Sequence, residues 1–259
     1  MPKKLPALFI GHGSPMNAIS DNSYTKALKK IADEIERPEA ILVVSAHWQT
    51  RGTYITYKDE PTQIYDFYGF PEELYNIKYE PKNCEKYSEI ILDELKGENI
   101  KPTSEWGLDH ASWAVLIHMY PKADIPVIEM SLNILLDAEG HYELGKKLYK
   151  LREKGILVIG SGNIVHNLMN FKAEIDAEPF KWAVDFDKYI SDAVKYKQHD
   201  KLINYKSLGK IAQLSVPTDE HYLPLLYTAA MQWEKEGAEF EYEGIQNGSM
   251  SMRLSLIHI

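Results

Sequence analysis

The sequence predicts an α/β fold, a single domain over residues 1–259 with a central, mostly parallel mixed sheet flanked by helices. Three observations carry this prediction. Five short runs are apolar without alternation, the composition of strands covered on both faces. Longer segments with apolar residues at helical spacing lie between them. No repeat, low-complexity tract or Pro/Ser-rich linker divides the 259 residues, and that length is ample for one large core.

The first strand is expected at residues 5–10 (LPALFI), a run too short for a secretory signal that ends in Gly11-His12-Gly13. A helix over residues 24–35 follows the capping cluster Asp21-Asn22-Ser23. The second strand is residues 40–46 (AILVVSA), with His47 directly after it. Residues 50–82 are rich in Tyr, Pro and Gly and read as an excursion or lid. A helix over 84–95 places Tyr87, Ile90, Ile91 and Leu95 at helical spacing. Further strands are expected at 125–131 (IPVIEMS), 156–159 (ILVI) and 250–257 (MSMRLSLI), with helices over 142–153, 182–194 and 222–234. The acidic run 234–243 reads as a solvated face and turn.

Composition narrows the function. Hydrophobic residues make up 44%, which excludes a disordered chain. The formal net charge of −9 (29 Lys and Arg against 38 Asp and Glu) argues against nucleic acid, because phosphate binding needs a basic surface. No stretch reaches the ~20 apolar residues of a membrane helix, so no membrane partner is expected. The single cysteine, Cys84, cannot form an internal disulfide, sits in an amphipathic segment and reads as structural. Together these predict a cytoplasmic protein.

Placement of the nine histidines points to chemistry. His12 comes just past the first strand, His47 past the second and His166 past the fourth (Gly160-Ser161-Gly162-Asn163-Ile164-Val165-His166). In open α/β sheets ligands bind at such strand ends, so the three are expected to converge. Imidazole is also the commonest ligand for first-row metals. One histidine after a strand is ordinarily a hydrogen-bonded turn residue; recurrence at three strand ends favours a metal site. His110, in Trp106-Gly107-Leu108-Asp109-His110, suits an acid/base or substrate contact, against the plain reading of Asp109 as helix N-cap. His221, in Thr218-Asp219-Glu220-His221, also fits an ordinary helix start. His118 reads as core or boundary, and His141, His199 and His258 as surface or terminal residues. The chain has no P-loop, an incomplete dinucleotide fingerprint at Gly160-Ser161-Gly162, and no nucleophile elbow around Ser161.

Five motifs in order resemble one family. They are Leu8-Phe9-Ile10-Gly11-His12-Gly13-Ser14-Pro15-Met16, Val44-Ser45-Ala46-His47-Trp48, Trp106 to Trp113, Ser161 to Leu168 and Pro217 to Leu225, with Gly244 to Met252 resembling the final strand entry. The likeness is to the extradiol 4,5-dopa dioxygenase family, which belongs to the class III extradiol ring-cleavage dioxygenases and is related to the catalytic subunit of protocatechuate 4,5-dioxygenase. The resemblance implies a non-haem Fe²⁺ site, with Zn²⁺ as an alternative occupant. It makes His12, His47 and His221 metal ligands, with Glu220 in reserve. His166 matches a position that is either a further ligand or the catalytic acid/base, and His110 an acid/base or substrate contact. The implied substrates are a small aromatic diol and O₂, the diol being opened to a muconic semialdehyde. Val216 stands where relatives often carry His or Asn. Tyr65, Phe67 and Tyr68 are candidates to wall the ring. Two other readings keep the metal or the fold: a zinc-dependent hydrolase or lyase, and a non-catalytic metal-binding protein. A monomer or small homo-oligomer is expected.

Overall fold

The computed structural model describes residues 4–258. Along the chain it has β1 (Ala7–Gly11), α1 (Ser23–Glu34), β2 (Ala40–Thr50), β3 (Thr53–Thr56), α2 (Glu72–Tyr75) and α3 (Cys84–Glu94). Next come β4 (Ile100–Thr103), α4 (His110–Met119), β5 (Val127–Asn133), α5 (Ala138–Lys147), α6 (Tyr149–Glu153), β6 (Ile156–Gly162) and α7 (Lys181–Lys195). The last third holds α8 (His199–Ile203), α9 (Lys210–Ser215), α10 (Leu223–Ala230), β7 (Gly237–Tyr242), β8 (Ile245–Gln246), β9 (Met250–Ser251) and β10 (Leu254–His258). No helix among the described residues is long and apolar enough to cross a membrane.

Eight strands form one mixed sheet in the order β4-β3-β5-β2-β6-β1-β10-β7. The centre, β5-β2-β6-β1, is parallel, as the continuously apolar runs predict. β10 and β7 extend it antiparallel at one edge, and β3 joins β5 antiparallel at the other. Alternate residues feed two cores. Leu8, Ile10, Ile41 and Val43 pack with Tyr24 and Leu28 of α1 and Trp113 and Leu116 of α4. Ala7, Phe9, Leu42 and Val44 face Leu144 of α5, Phe186 and Ile190 of α7 and Leu226 of α10. Such period-two burial pins strand register, since a one-residue slip would exchange the two cores.

Several boundaries differ from expectation, each for a local reason. β2 runs past Ala46 to Thr50, so His47 and Trp48 lie inside the strand. Its register with β5 shifts between Val44 and Gln49, an irregularity of the kind that re-aims side chains beside functional sites. β3 takes the start of the expected excursion into the sheet, leaving residues 57–82 outside it. The acidic run is largely the edge strand β7, and the short strands β3 and β4 at the other end of the sheet carry no continuous apolar signal. The expected helix over 142–153 breaks at Leu148, and that over 222–234 shortens to α10. Residues 250–257 split, with β9 pairing β8 before β10 enters the main sheet. Cys84 is buried, with its Sγ accepting from the Val127 amide, in keeping with a structural role.

Two buried polar groups escaped the sequence. Arg152 is fully buried, paired through both terminal nitrogens with Glu236 at 3.0 Å and bonded to the carbonyls of Leu5 and Met231. His141, expected at the surface, is fully buried between α5 and α10, bonded through Nδ1 to Tyr227 Oη at 2.9 Å. His199 is half-buried between Tyr142 and Gln232, His118 meets the Asn17 carbonyl at 2.7 Å, and the His258 side chain lies outside the described residues. Burial lowers the His141 imidazole to about 4 from an ordinary 6.5. The unfolded chain therefore binds a proton that the folded chain refuses between those values. The stability contribution of this neutral ring is full above pH 6.5 and is lost as pH falls toward 4, about 3 kcal/mol in all. Denaturant midpoints measured from pH 7 to pH 4 should show His141→Gln reducing the acid sensitivity by that amount.

Candidate active site

The C-terminal ends of β1, β2 and β6 lie side by side, and the site is built on them. His12 follows β1, held by its backbone amide on the Gly162 carbonyl at 3.0 Å. Gly13 turns the chain away with φ +61°, a left-handed conformation that glycine adopts without strain. His221 arrives on the loop before α10. A Cβ on Gly162 would stand 2.1 Å from the His221 carbonyl oxygen, so the missing side chain lets this loop close on β6, where Asn163 N–H binds the same oxygen at 2.8 Å. His110 opens α4, whose N-cap is Asp109, its side chain accepting from the Ala111 amide. His166 follows β6 and is held through its amide by the Ser215 carbonyl at 2.9 Å.

All five expected histidines come together. Ring centroids of His12 lie 5.1 Å from His47, 5.3 Å from His110 and 5.4 Å from His221. His47 is 4.2 Å from His110 and 4.9 Å from His221, and His166 stacks on His221 at 3.6 Å and 7°. One nitrogen each from His12, His47 and His221 falls within 4.8 Å of the others, a grouping able to hold a metal ion.

Hydrogen bonds assign the free nitrogens. The Ser161 hydroxyl donates to the Ala111 carbonyl at 2.6 Å, so at 3.1 Å it accepts from Nδ1–H of His12. Glu220 accepts from Nδ1–H of His221 at 3.0 Å, and the Asp66 carboxylate stands 3.2 Å from Nδ1 of His47, an electrostatic contact that favours the proton on that nitrogen. Each imidazole therefore directs an Nε2 lone pair inward, the usual arrangement of outer partners around metal-binding histidines. Nε2 of His12 and Nε2 of His47 stand 3.1 Å apart. Two facing lone pairs at that separation repel, and a cation accepting both removes the repulsion. The donor set thus fits a transition-metal ion. Burial, reinforced by neighbouring histidines, holds His12 and His221 well below the ordinary range and lowers His47, so these rings are neutral and ready to bind. Burial, reinforced by the neighbouring His221, takes His166 down to about 2, so this ring is neutral as well.

Asp66 is the residue that sequence reasoning missed. Its carboxylate also accepts from His110, at 2.8 Å from Nδ1 and 3.0 Å from the backbone amide. Burial works to raise this carboxyl, but the hydrogen bonds and charges of His110 and His47 prevail and hold it at about 2. The available signal was an acid set among aromatics in Ile64-Tyr65-Asp66-Phe67. Phe67 meets the His110 ring edge-on at 5.7 Å, and Tyr65 packs on Trp113. Tyr68 is 92% exposed and packs no wall.

An open α/β sheet with imidazoles gathered at its strand ends defines a class of protein equipped to hold a metal ion. Comparison with known proteins makes the class specific. Residues 6–252 match the family described as the catalytic LigB subunit of aromatic ring-opening dioxygenase. A 4,5-DOPA dioxygenase extradiol of Escherichia coli K12 is 42% identical over 253 residues, covering 96% of this chain and 93% of the relative. One from Beta vulgaris is 35% identical, covering 94% and 92%. The crystal structure of an uncharacterized protein from Escherichia coli K12 superposes with a TM-score of 0.85 at 39% identity, covering 98% of this chain and all of the other. The chain belongs to the LigB family of ring-opening dioxygenases and is an extradiol dioxygenase, a metal-dependent enzyme acting on an aromatic substrate and O₂.

Proposed function

We propose that the protein is a non-haem Fe²⁺ extradiol dioxygenase that cleaves a catechol, in dopa-like 4,5 fashion, to a muconic semialdehyde. The observation that carries this reading is the convergence of one ring nitrogen each from His12, His47 and His221, with Ser161, Asp66 or Glu220 against the other nitrogen of each ring. Names of the relatives support the dopa-like substrate. His12, His47 and His221 would hold the Fe²⁺, which would supply Lewis-acid and redox chemistry toward the diol and O₂. The chain's own residues handle protons and orientation. Among the described residues, no side-chain hydrogen bond occupies the His166 ring, which stacks beside His221 and is free to take a catechol proton and later return it. Across the site Asp66 holds Nδ1 of His110 at 2.8 Å, which orients that ring toward the substrate side. Phe67 and Trp113 back that side with apolar surface that keeps water from the ring. Val216 packs partly buried against the core and offers substrate no polar group.

Anaerobic loading with Fe²⁺, then O₂ and a panel of catechols including dopa, tests the proposal. A yellow semialdehyde absorbance is the expected product. Activity with Zn²⁺ on hydrolysable substrates and none with any catechol would overturn it. Asp66→Asn should weaken Fe²⁺ binding and turnover by about 10-fold or more, because Oδ2 faces both imidazoles while Oδ1 accepts the His110 amide, and an Asn NH₂ on either side must face a donor. Equilibrium dialysis beside steady-state kinetics reads both effects.

A further inference from the structure

Behind the histidines lies a pair of acids that the proposed chemistry leaves unused. Asp109 and Glu129 are both fully buried. Among the described residues, the hydrogen bonds that reach them from other groups come from neutral donors. Asp109 accepts from the Ser45 hydroxyl at 2.7 Å and the Ala111 amide at 2.9 Å. Glu129 accepts from Trp106 Nε1 at 2.9 Å, the Ser112 hydroxyl at 2.5 Å and the Asp109 amide at 3.1 Å. The Asp109 amide donating to Glu129 Oε2 sets the two carboxyl groups side by side in one buried pocket. Two buried carboxylates so close together, met by neutral donors and no cation among the described residues, cannot both be ionised.

Connections from the pair run to both sides of the site. Ser45 donates to Asp109 and accepts the His47 amide at 3.1 Å, tying the acid to the strand of a candidate ligand. Asp109 also caps α4, which begins with His110. Trp106, bound by Glu129, stacks on Trp48 at 5.5 Å and 6°, next in sequence to His47. We infer that Glu129 and Asp109 share a single proton and act as a positioning pair, with the acid on Glu129 and the charge on Asp109, holding the His47 strand and the His110 helix in register. Burial and the neighbouring Asp109 push the Glu129 carboxyl well above its ordinary range. Burial raises Asp109 as well, opposed by the Glu129 hydrogen bond and by His47, and the α4 N-terminus also favours charge there. The titratable groups facing the pair are His47 and Asp66, both on the Asp109 side; Thr56, Ser45, Ser112 and Trp106 complete the neutral surroundings.

The test uses full-length protein and needs no turnover, so its outcome is independent of the catalytic assignment. Infrared spectra of metal-free protein at neutral pH, in H₂O and D₂O, should contain a protonated-carboxyl C=O band that shifts on deuteration and disappears in Glu129→Gln. A wild-type spectrum without that band, or one unchanged by the substitution, overturns the shared proton. Co²⁺ titrations followed by absorption read the positioning role. Asp109→Asn should weaken Co²⁺ by about 10–100-fold, while Glu129→Gln stays within about threefold because its amide N–H replaces the acid O–H. Equal affinity in Asp109→Asn and wild type, or equal loss in both variants, overturns positioning. If Asp109→Asn does not fold, Ser45→Ala cuts the link to His47 with both acids intact; it should keep the infrared band and lose about 10-fold in Co²⁺ affinity, and unchanged affinity there counts against the role.

Discussion

His12→Ala is expected to abolish stoichiometric metal binding and, with it, ring cleavage. The argument follows from position. His12 is 3% exposed, carries a neutral ring and faces Nε2 of His47 at 3.1 Å, with Nδ1 already committed to Ser161. Alanine removes one of three ring nitrogens, and Ser161, behind the ring, does not take its place. Loss of an outer partner alone costs about 10–100-fold in metal affinity, so loss of a direct ligand should exceed that range. Metal analysis of freshly prepared protein and Co²⁺ titration measure it. Full metal content in His12→Ala would show that the ion is held elsewhere, for example by His47, Asp66 and His110, which also come within reach of one another.

His166→Ala has the second large effect, with a different signature. If this ring moves the catechol proton, kcat should fall by about 10²–10⁴-fold while bound metal and overall fold are retained. The geometry supports that separation, because His166 lies parallel to His221 at 3.6 Å and outside the grouping of His12, His47 and His221. Single-turnover kinetics with metal quantified in the same sample distinguish the roles. Metal lost together with turnover would place His166 among the ligands.

Much of the site was legible because its residues obey a local rule. His12 and His166 stand just beyond apolar runs, and strand ends in a parallel sheet meet by construction. His47 was found for a partly mistaken reason: it lies within β2, and the shifted register near it, which no local pattern announces, accompanies its place in the site. Asp66 was missed because nothing in a stretch of Tyr, Pro and Gly says which side chain will fold back 44 residues along the chain to reach His110. His141 and Arg152 were misjudged or passed over for a related reason, as a polar residue in an amphipathic helix reads as exposed until its partner, here Tyr227 or Glu236, is known.

Taken alone, the amino-acid order determined the sheet's parallel centre, the helices on its two faces and a set of histidines at its edge. Those features depend on apolar periodicity and on residues near in sequence, where backbone geometry limits the choices. Tertiary structure decided which nitrogens point inward, which acids stand behind them and which acid lies buried without a cation. Those are properties of contacts between distant segments, and burial sets their protonation only after the core has closed around them.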